Sequence, residues 1–272
     1  MEYELMPSKR NKLELYSKLL SEVFTDTKKF TLDFLDWQYF KNPVGDVVGF
    51  DAFYNNELVA HYVTIPVVYK FNDKTLNGLL SLNTATKAEH QGKGLFTKLA
   101  SDTYDLAKEK GYKFIIGVAN QNSTHGFIKK LGFDLVGKLD VKIYLGTIQQ
   151  KKDNKLFFKA IWTKDILEWR LKNPDAIYFS KRTTIYSATH IPFIKSLLLT
   201  TAESKVEHIK SINFIPFKLS IGLNIGDATF AINLPERFKP SPLNLIFKNI
   251  SGDELKISKD NCYFELIDFD AY

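Results

Sequence analysis

Gln91-Gly92-Lys93-Gly94 is the stretch of this sequence with the residue types and spacing for ligand chemistry. Ahead of it, Leu80, Leu82 and Thr84 alternate with Ser81, Asn83 and Ala85, as in an extended strand. Behind it a helix opens at about Leu95. Its apolar Leu95, Phe96, Leu99, Leu106 and Ala107 share one face, and Gly111 stands at the C-cap. A glycine loop running into a helix start aims several backbone N–H groups at one point, and the helix dipole and Lys93 add positive charge. That is the chemistry of a phosphate or pyrophosphate site. An ordinary strand-to-helix connection needs the same glycines, and this stretch alone does not separate the two.

Other candidate groups are scattered. Asn120-Gln121-Asn122-Ser123 follows an apolar run at 113–118, and Lys130-Leu131-Gly132-Phe133 closes the next short helix. His61 sits in a strand, AHYVTIP, and an imidazole with a pKa of about 6.5 suits a base. A strand histidine satisfied by its neighbours is the plainer account of it. His125 reads as structural or solvent-exposed, and His90 as a surface residue. Asp268, Asp270 and the carboxylate of Tyr272 close the chain, either as cleft-lining groups or as a solvated tail.

The chain of 272 residues is 44% hydrophobic and 25% charged, enough for one large or two small cores and too apolar for a disordered chain. Net charge is +6, spread along the chain. It permits an anionic ligand, and no Lys/Arg block argues for nucleic acid. One cysteine, Cys262, excludes a disulfide framework within the chain and fits a reducing cytoplasm. No metal site is expected. The N-terminus lacks the apolar core of a signal peptide, and no apolar run reaches the ~18 residues of a membrane span.

The elements that position these residues follow from periodicity and turn residues. A first strand is expected at 2–6. Helices follow at 9–24, with Ser8 as N-cap, and at 32–40, with Thr31 as N-cap. Strands are expected at 47–54, 57–71 and 75–86, then the loop and helix to Gly111. A buried strand at 113–118, a short helix to Leu131 and one or two strands over 133–145 complete the first half. Residues 148–155 are polar and form the best linker. A helix is expected at 162–172. Beyond it come strands at 176–179, 183–188, 217–223, 229–234, 243–247 and 263–269, with a helix at 202–212.

A faint repeat joins the halves. Trp37 with Asn42-Pro43 echoes Trp169 with Asn173-Pro174, and the segment 127–133 echoes 208–214. The second half has no counterpart of the glycine loop.

Taken together, the first half resembles the GCN5-related N-acetyltransferase (GNAT) family. The resemblance rests on the element order, on Gln91-Gly92-Lys93-Gly94-Leu95-Phe96, and on the later Asn122 and Leu131-Gly132-Phe133. Phe96 departs from the Gly or Ala of the family loop. The resemblance covers residues 2–146. It implies an α/β (α+β) GNAT fold with a mixed, mostly antiparallel sheet at 1–150. A smaller, degenerate GNAT-like half at 151–272 would close the acceptor cleft. It implies acetyl-CoA or another acyl-CoA as cofactor. Asn83, Thr84, Ala85 and Thr86 would pair with the pantetheine, and the backbone from Gln91 to Phe96 would hold the pyrophosphate. Asn122 would contact the pantetheine arm.

The resemblance further implies direct transfer to a small-molecule amine, with an oxyanion donor near Thr84 or Ala85. The family's acid, a Tyr, is Ile128 here, and its Glu base around 77–81 is absent. His61, Ser123 and the terminal carboxylate of Tyr272 are the substitutes, since some tandem relatives use a chain-terminal carboxylate. Tyr62 is a weaker one. The Trp37-to-Gly45 pattern resembles acetyltransferases of bacterial surface-polysaccharide synthesis, which makes an amino sugar the leading acceptor. A CoA-binding protein without catalysis is the alternative. A tRNA-dependent transferase of the Fem type would not need the loop.

Overall fold

In the computed structural model, which describes residues 2–24, 29–149, 157–200, 209–234 and 242–269, the chain builds two sheets joined along a pair of matching helices. The first half runs β1 (Glu4–Pro7), α1 (Leu13–Phe24), α2 (Leu32–Phe40), β2 (Val48–Tyr54), β3 (Glu57–Phe71) and β4 (Lys74–Thr86). It continues through α3 (Leu95–Glu109), β5 (Phe114–Ala119), α4 (Gln121–His125), a π-helical turn (Gly126–Lys130), β6 (Asp134–Lys138) and β7 (Asp140–Gln149). The second half runs β8 (Phe158–Ala160), α5 (Lys164–Arg170), β9 (Tyr178–Lys181), β10 (Thr184–Ala188) and β11 (Ile194–Thr200). It ends with β12 (Lys210–Ser211), β13 (Phe217–Gly222), β14 (Asp227–Asn233) and β15 (Asn244–Asn249).

The same device starts both halves. Thr31 caps α2 by accepting from Phe34 N, and Thr163 caps α5 by accepting from Ile166 N. Asn42 and Asn173 then turn the chain after each helix, each taking the amide two residues on. Trp37 Nε1 donates to Trp169 O at 2.7 Å, and Trp169 Nε1 donates to Trp37 O at 2.9 Å. The two rings stack with centroids 5.3 Å apart. The tryptophan repeat read in the sequence is therefore a reciprocal contact about a local pseudo-two-fold.

The strands repeat as well. β2-β3-β4 is an antiparallel meander, and β5 lies parallel to β4. In the second half β9-β10-β11 is antiparallel and β13 lies parallel to β11. The closing strands are exchanged. β15, from the second half, lies between β5 and β6 in the first sheet. β7, from the first half, lies between β13 and β14 in the second. Thus the sheets read β1-β2-β3-β4-β5-β15-β6 and β12-β9-β10-β11-β13-β7-β14, with β8 added to β3. Strand membership crosses residue 150 in both directions.

Two apolar layers cover the first sheet. Tyr16, Leu19, Leu20, Phe34 and Leu35 of α1 and α2 pack on one face, and Leu95, Leu99, Ala100, Tyr104 and Ala107 of α3 on the other. Phe114, Phe158 and Phe247, one from each of β5, β8 and β15, pack against one another at centroid distances of 5.4–5.6 Å. Aromatic contact thus fastens the second-half strands to the first sheet.

Some expectations are corrected. The helix expected at 202–212 lies largely outside the described residues, and its end, Lys210–Ser211, is a strand. The echo of 127–133 at 208–214 fails with it, because the first segment is a π-helical turn. The expected strand at 263–269 is replaced by single bridges at Cys262 and Phe264 and a 3-10 turn at Leu266–Asp268. Here Glu265 N donates to Asp268 Oδ2 at 2.7 Å, so a side chain takes a backbone donor that a strand would need. Of the expected linker, Ile148 and Gln149 belong to β7 and residues 150–155 lie outside the described residues.

Candidate functional site

The first sheet opens where β4 meets β5. The parallel pairing spans only Leu79–Ser81 against Ile115–Gly117. Beyond it β4 runs on to Thr86 against β3, while β5 runs on to Ala119 against β15. The two strands separate, leaving Asn83, Thr84, Ala85 and Thr86 along one wall of the gap. A bulge marks the point of parting. His61 pairs with Ala85 and Val63 with Leu82, so Asn83 and Thr84 both lie opposite Tyr62. Asn83 has φ +46°, in the left-handed region. Under the bulge, Tyr62 Oη meets Ser81 Oγ at 3.0 Å and Tyr104 Oη at 2.7 Å. Burial pushes the Tyr62 phenol up to about 12, so it stays a neutral hydroxyl.

The glycine loop stands at the mouth of this gap. Gly92 and Gly94 have φ +73° and +78°, which only glycine adopts without strain, and a Cβ at either would meet nothing within 4 Å. The glycines are there for backbone conformation. Gly94 precedes α3, and no side chain caps the helix, so its first-turn amides are left to a ligand or solvent. Gln91 Nε2 ties the loop to Thr86 O at 3.1 Å, and Lys93 Nζ holds Glu89 O at 2.8 Å while remaining exposed. Leu95 is core, and the Phe96 ring packs edge-on against Phe127 at 5.3 Å and Tyr62 at 6.1 Å. These two residues bring only their amides to the loop. His90, expected on the surface, is 7% exposed and bonded to Tyr3 Oη at 2.9 Å.

Across the gap, Asn120 and Ser123 form a capping box at the start of α4, with Asn120 accepting from Ser123 N and Ser123 Oγ accepting from Asn120 N. Ser123 is thereby engaged in the cap. Asn122 is exposed. Ile128 lies in the π-helical turn, partly buried. The second half reaches this region through β15. Asn244 Nδ2 donates to Thr124 Oγ1 at 3.0 Å, and Lys248 Nζ donates to Leu131 O at 2.7 Å.

His61 lies in the interior rather than on the cleft wall. It is fully buried, and its Nδ1 donates to Asp51 Oδ1 at 2.8 Å. Its Nε2 is bonded to Tyr39 Oη at 3.2 Å. Tyr39 Oη in turn accepts from Asn83 Nδ2 at 3.0 Å, and Asn83 Nδ2 also donates to Gln38 Oε1 at 2.6 Å. Asp51 takes further bonds from Ser8 Oγ at 2.7 Å and Tyr16 Oη at 2.8 Å. Burial alone would raise its carboxyl, but His61, Ser8 and Tyr16 hold it below the usual range. Asp51, Tyr39 and Gln38 were not singled out by the sequence. Their spacing matches no motif, and only the α2–β3–β4 packing brings them to Asn83.

A second buried polar group lies at the joint of the halves. Trp162 Nε1 donates to Asp268 Oδ1 at 3.1 Å, beside Tyr69 and Arg170 around a small cavity. Asp268 is 4% exposed, so it belongs to neither a solvated tail nor an open cleft, and burial pushes its carboxyl up to about 7. Asp270 and Tyr272 lie outside the described residues. Among the described residues no group of three or more His, Cys, Asp or Glu is placed to hold a metal ion, and no helix is long and apolar enough to cross a membrane.

Residues 4–136 match a family model described as an acetyltransferase (GNAT) domain. Three solved structures share the fold over 92% of this chain. They are a probable N-acyltransferase from Enterococcus faecalis (9% identity, 73% of that chain, TM-score 0.60), a GCN5-related N-acetyltransferase from Kribbella flavida (9%, 72%, 0.59) and Eis1 from Mycobacterium abscessus (7%, 74%, 0.59). At these identities the likeness is one of fold. No curated protein matches the sequence.

Proposed function

Residues 4–136 matching a family model described as an acetyltransferase (GNAT) domain, we propose that this chain moves an acetyl or other acyl group from an acyl-CoA to a primary amine. The observation that carries this reading is the gap between β4 and β5, which runs from the bulge at Asn83 and Thr84 to the uncapped start of α3. The donors there fit the cofactor. The amides from Gly92 to Phe96, with Lys93, would receive a pyrophosphate at the helix start. The edge of β4 from Asn83 to Thr86 would pair with an extended pantetheine arm, with Asn122 facing it.

Acyl-CoA supplies the activated thioester. The chain's residues align the partners and stabilise charge. A backbone N–H at the Thr84 or Ala85 bulge would donate to the carbonyl oxygen as negative charge develops on it. The amine nitrogen attacks the acyl carbon, the C–N bond forms, the C–S bond breaks, and the proton lost by nitrogen balances the leaving thiolate. Ile128 cannot protonate that thiolate. Its low basicity allows departure without a dedicated acid. We place the acyl-CoA site in residues 1–150 and give the second half, 151–272, the role of closing the acceptor side. An amino sugar is the acceptor we propose first, and the cytoplasm the compartment.

A CoA-binding protein without turnover is the second reading. It is favoured by Ile128 at the acid position and by Ser123 locked in a cap. Free thiol release from acetyl-CoA with a panel of primary amines separates the two. Turnover with at least one amine supports the enzyme. Tight acetyl-CoA binding with none sinks it. Gly94→Glu adds bulk and like charge at the loop, and we expect it to weaken acetyl-CoA binding by at least about a hundredfold, read by calorimetry. Undiminished binding would remove the loop from the site.

A further inference from the structure

Asn83 is where the bulge, the gap and the buried polar chain meet. A non-glycine residue at φ +46° must be held there by its surroundings. Two bonds do so, from Nδ2 to Gln38 Oε1 and to Tyr39 Oη. Both amide hydrogens are used inward, which turns Oδ1 the other way. Asn83 is partly exposed, and its Oδ1 meets no donor among the described residues.

The orientation is enforced from behind. Asp51 accepts from His61 Nδ1, and His61 Nε2 is bonded to Tyr39 Oη. Tyr39 Oη, so held, accepts from Asn83 Nδ2. Turning the amide over would set Oδ1 against Gln38 Oε1, a repulsive contact in a partly buried setting, and would break the bond from Nδ2 to Tyr39 Oη.

We propose that Asn83 Oδ1 accepts an N–H of the incoming amine, and that Gln38 and the Asp51–His61–Tyr39 chain act as positioning residues that keep it turned outward. This rests on the acyl-transfer reading above and extends it to the acceptor. An amide oxygen takes no proton to keep. It orients a primary amine so that one N–H is bound while the lone pair faces the acyl carbon at the bulge.

The test uses the full chain with acetyl-CoA and the primary amines spermidine, glucosamine and lysine, following thiol release. Asn83→Gly removes the side chain and keeps the left-handed backbone, so it guards against misfolding. We expect the amine KM to rise about tenfold, the loss of one hydrogen bond, with a smaller change in the acetyl-CoA Kd, because the pantetheine would pair with the Asn83 backbone, which the variant retains. Tyr39→Phe frees the amide to turn and should raise the amine KM by a smaller factor. The double variant should match Asn83→Gly, because Tyr39 acts only through Asn83. An unchanged amine KM in Asn83→Gly, or additive effects in the double variant, would overturn the assignment. A wild-type chain that turns over none of the amines overturns the acyl-transfer reading itself. One that turns over normally with Asn83→Gly indistinguishable overturns only the role of Asn83.

Discussion

Asp268 is a carboxyl group held where water does not reach. Its neighbours are Trp162 Nε1 and the backbone of Glu265, and burial lifts it to about 7, with Glu265 beside it also raised by burial. The fold therefore retains a proton that the unfolded chain, with an aspartate pKa of about 3.9, gives up earlier. The stability tied to this group is complete below pH ~4 and is lost as pH rises through about 7. Asp51 works the opposite way. It is held low, so its contribution is complete above the normal aspartate range and is lost as pH falls below it. Thermal melts between pH 5 and 8 should show Tm falling with pH, and Asp268→Asn should flatten the slope. A Tm that rises over this window would contradict the assignment of Asp268 as the carrier.

α2 and α5 meet in one reciprocal contact. Each tryptophan satisfies its indole N–H on the other's backbone, and the rings stack. Trp37→Ala should cost about 3–5 kcal/mol, as for other buried aromatic truncations, and Trp169→Ala a similar amount. Because each change destroys the same contact, the double variant should lose well under the sum. Additive losses in denaturant unfolding would show two independent sites. This element was legible in the sequence, since a Trp and an Asn-Pro recur at nearly matched spacing; the second capping residue, Thr163, was not read. The loop was legible for a similar reason, since glycines between an alternating strand and a helix are a local fact; the pantetheine-pairing role of Asn83–Thr86 came only from the family resemblance. The Asp51–His61–Tyr39–Asn83 chain was not. Strand alternation gives the face His61 occupies but not which helix residues reach it. Nor could Glu265 and Asp268 be read as taking over the backbone bonds of an apparent strand.

The exchange of β7 and β15 governs the molecule as a whole. Leu245, Ile246 and Phe247 read as a buried strand in the sequence, but periodicity carries no information about which sheet receives it. β15 is hydrogen-bonded on both sides, to β5 and β6. A fragment ending at residue 150 would leave both of those edges unpaired and Phe114 without its Phe158 and Phe247 neighbours. We expect fragment 1–150 to aggregate or to lack cooperative unfolding, and added 151–272 to restore both solubility and acetyl-CoA binding. A fragment that melts cooperatively on its own would show that the first sheet closes without β15.

The same exchange imposes an order in time. Synthesis proceeds from β6, which ends at Lys138, to β15, which begins at Asn244, before the strand between β5 and β6 exists. At ~5–20 residues per second that interval is roughly 5–20 s, far longer than collapse or hairpin formation. During it the nascent first sheet has an open slot flanked by apolar side chains. The loop and the β4 wall can form early, but the gap acquires its far support only when β15 enters. A codon change or a ribosomal pause within 139–243 would thus alter the lifetime of an aggregation-prone intermediate while leaving the finished protein identical.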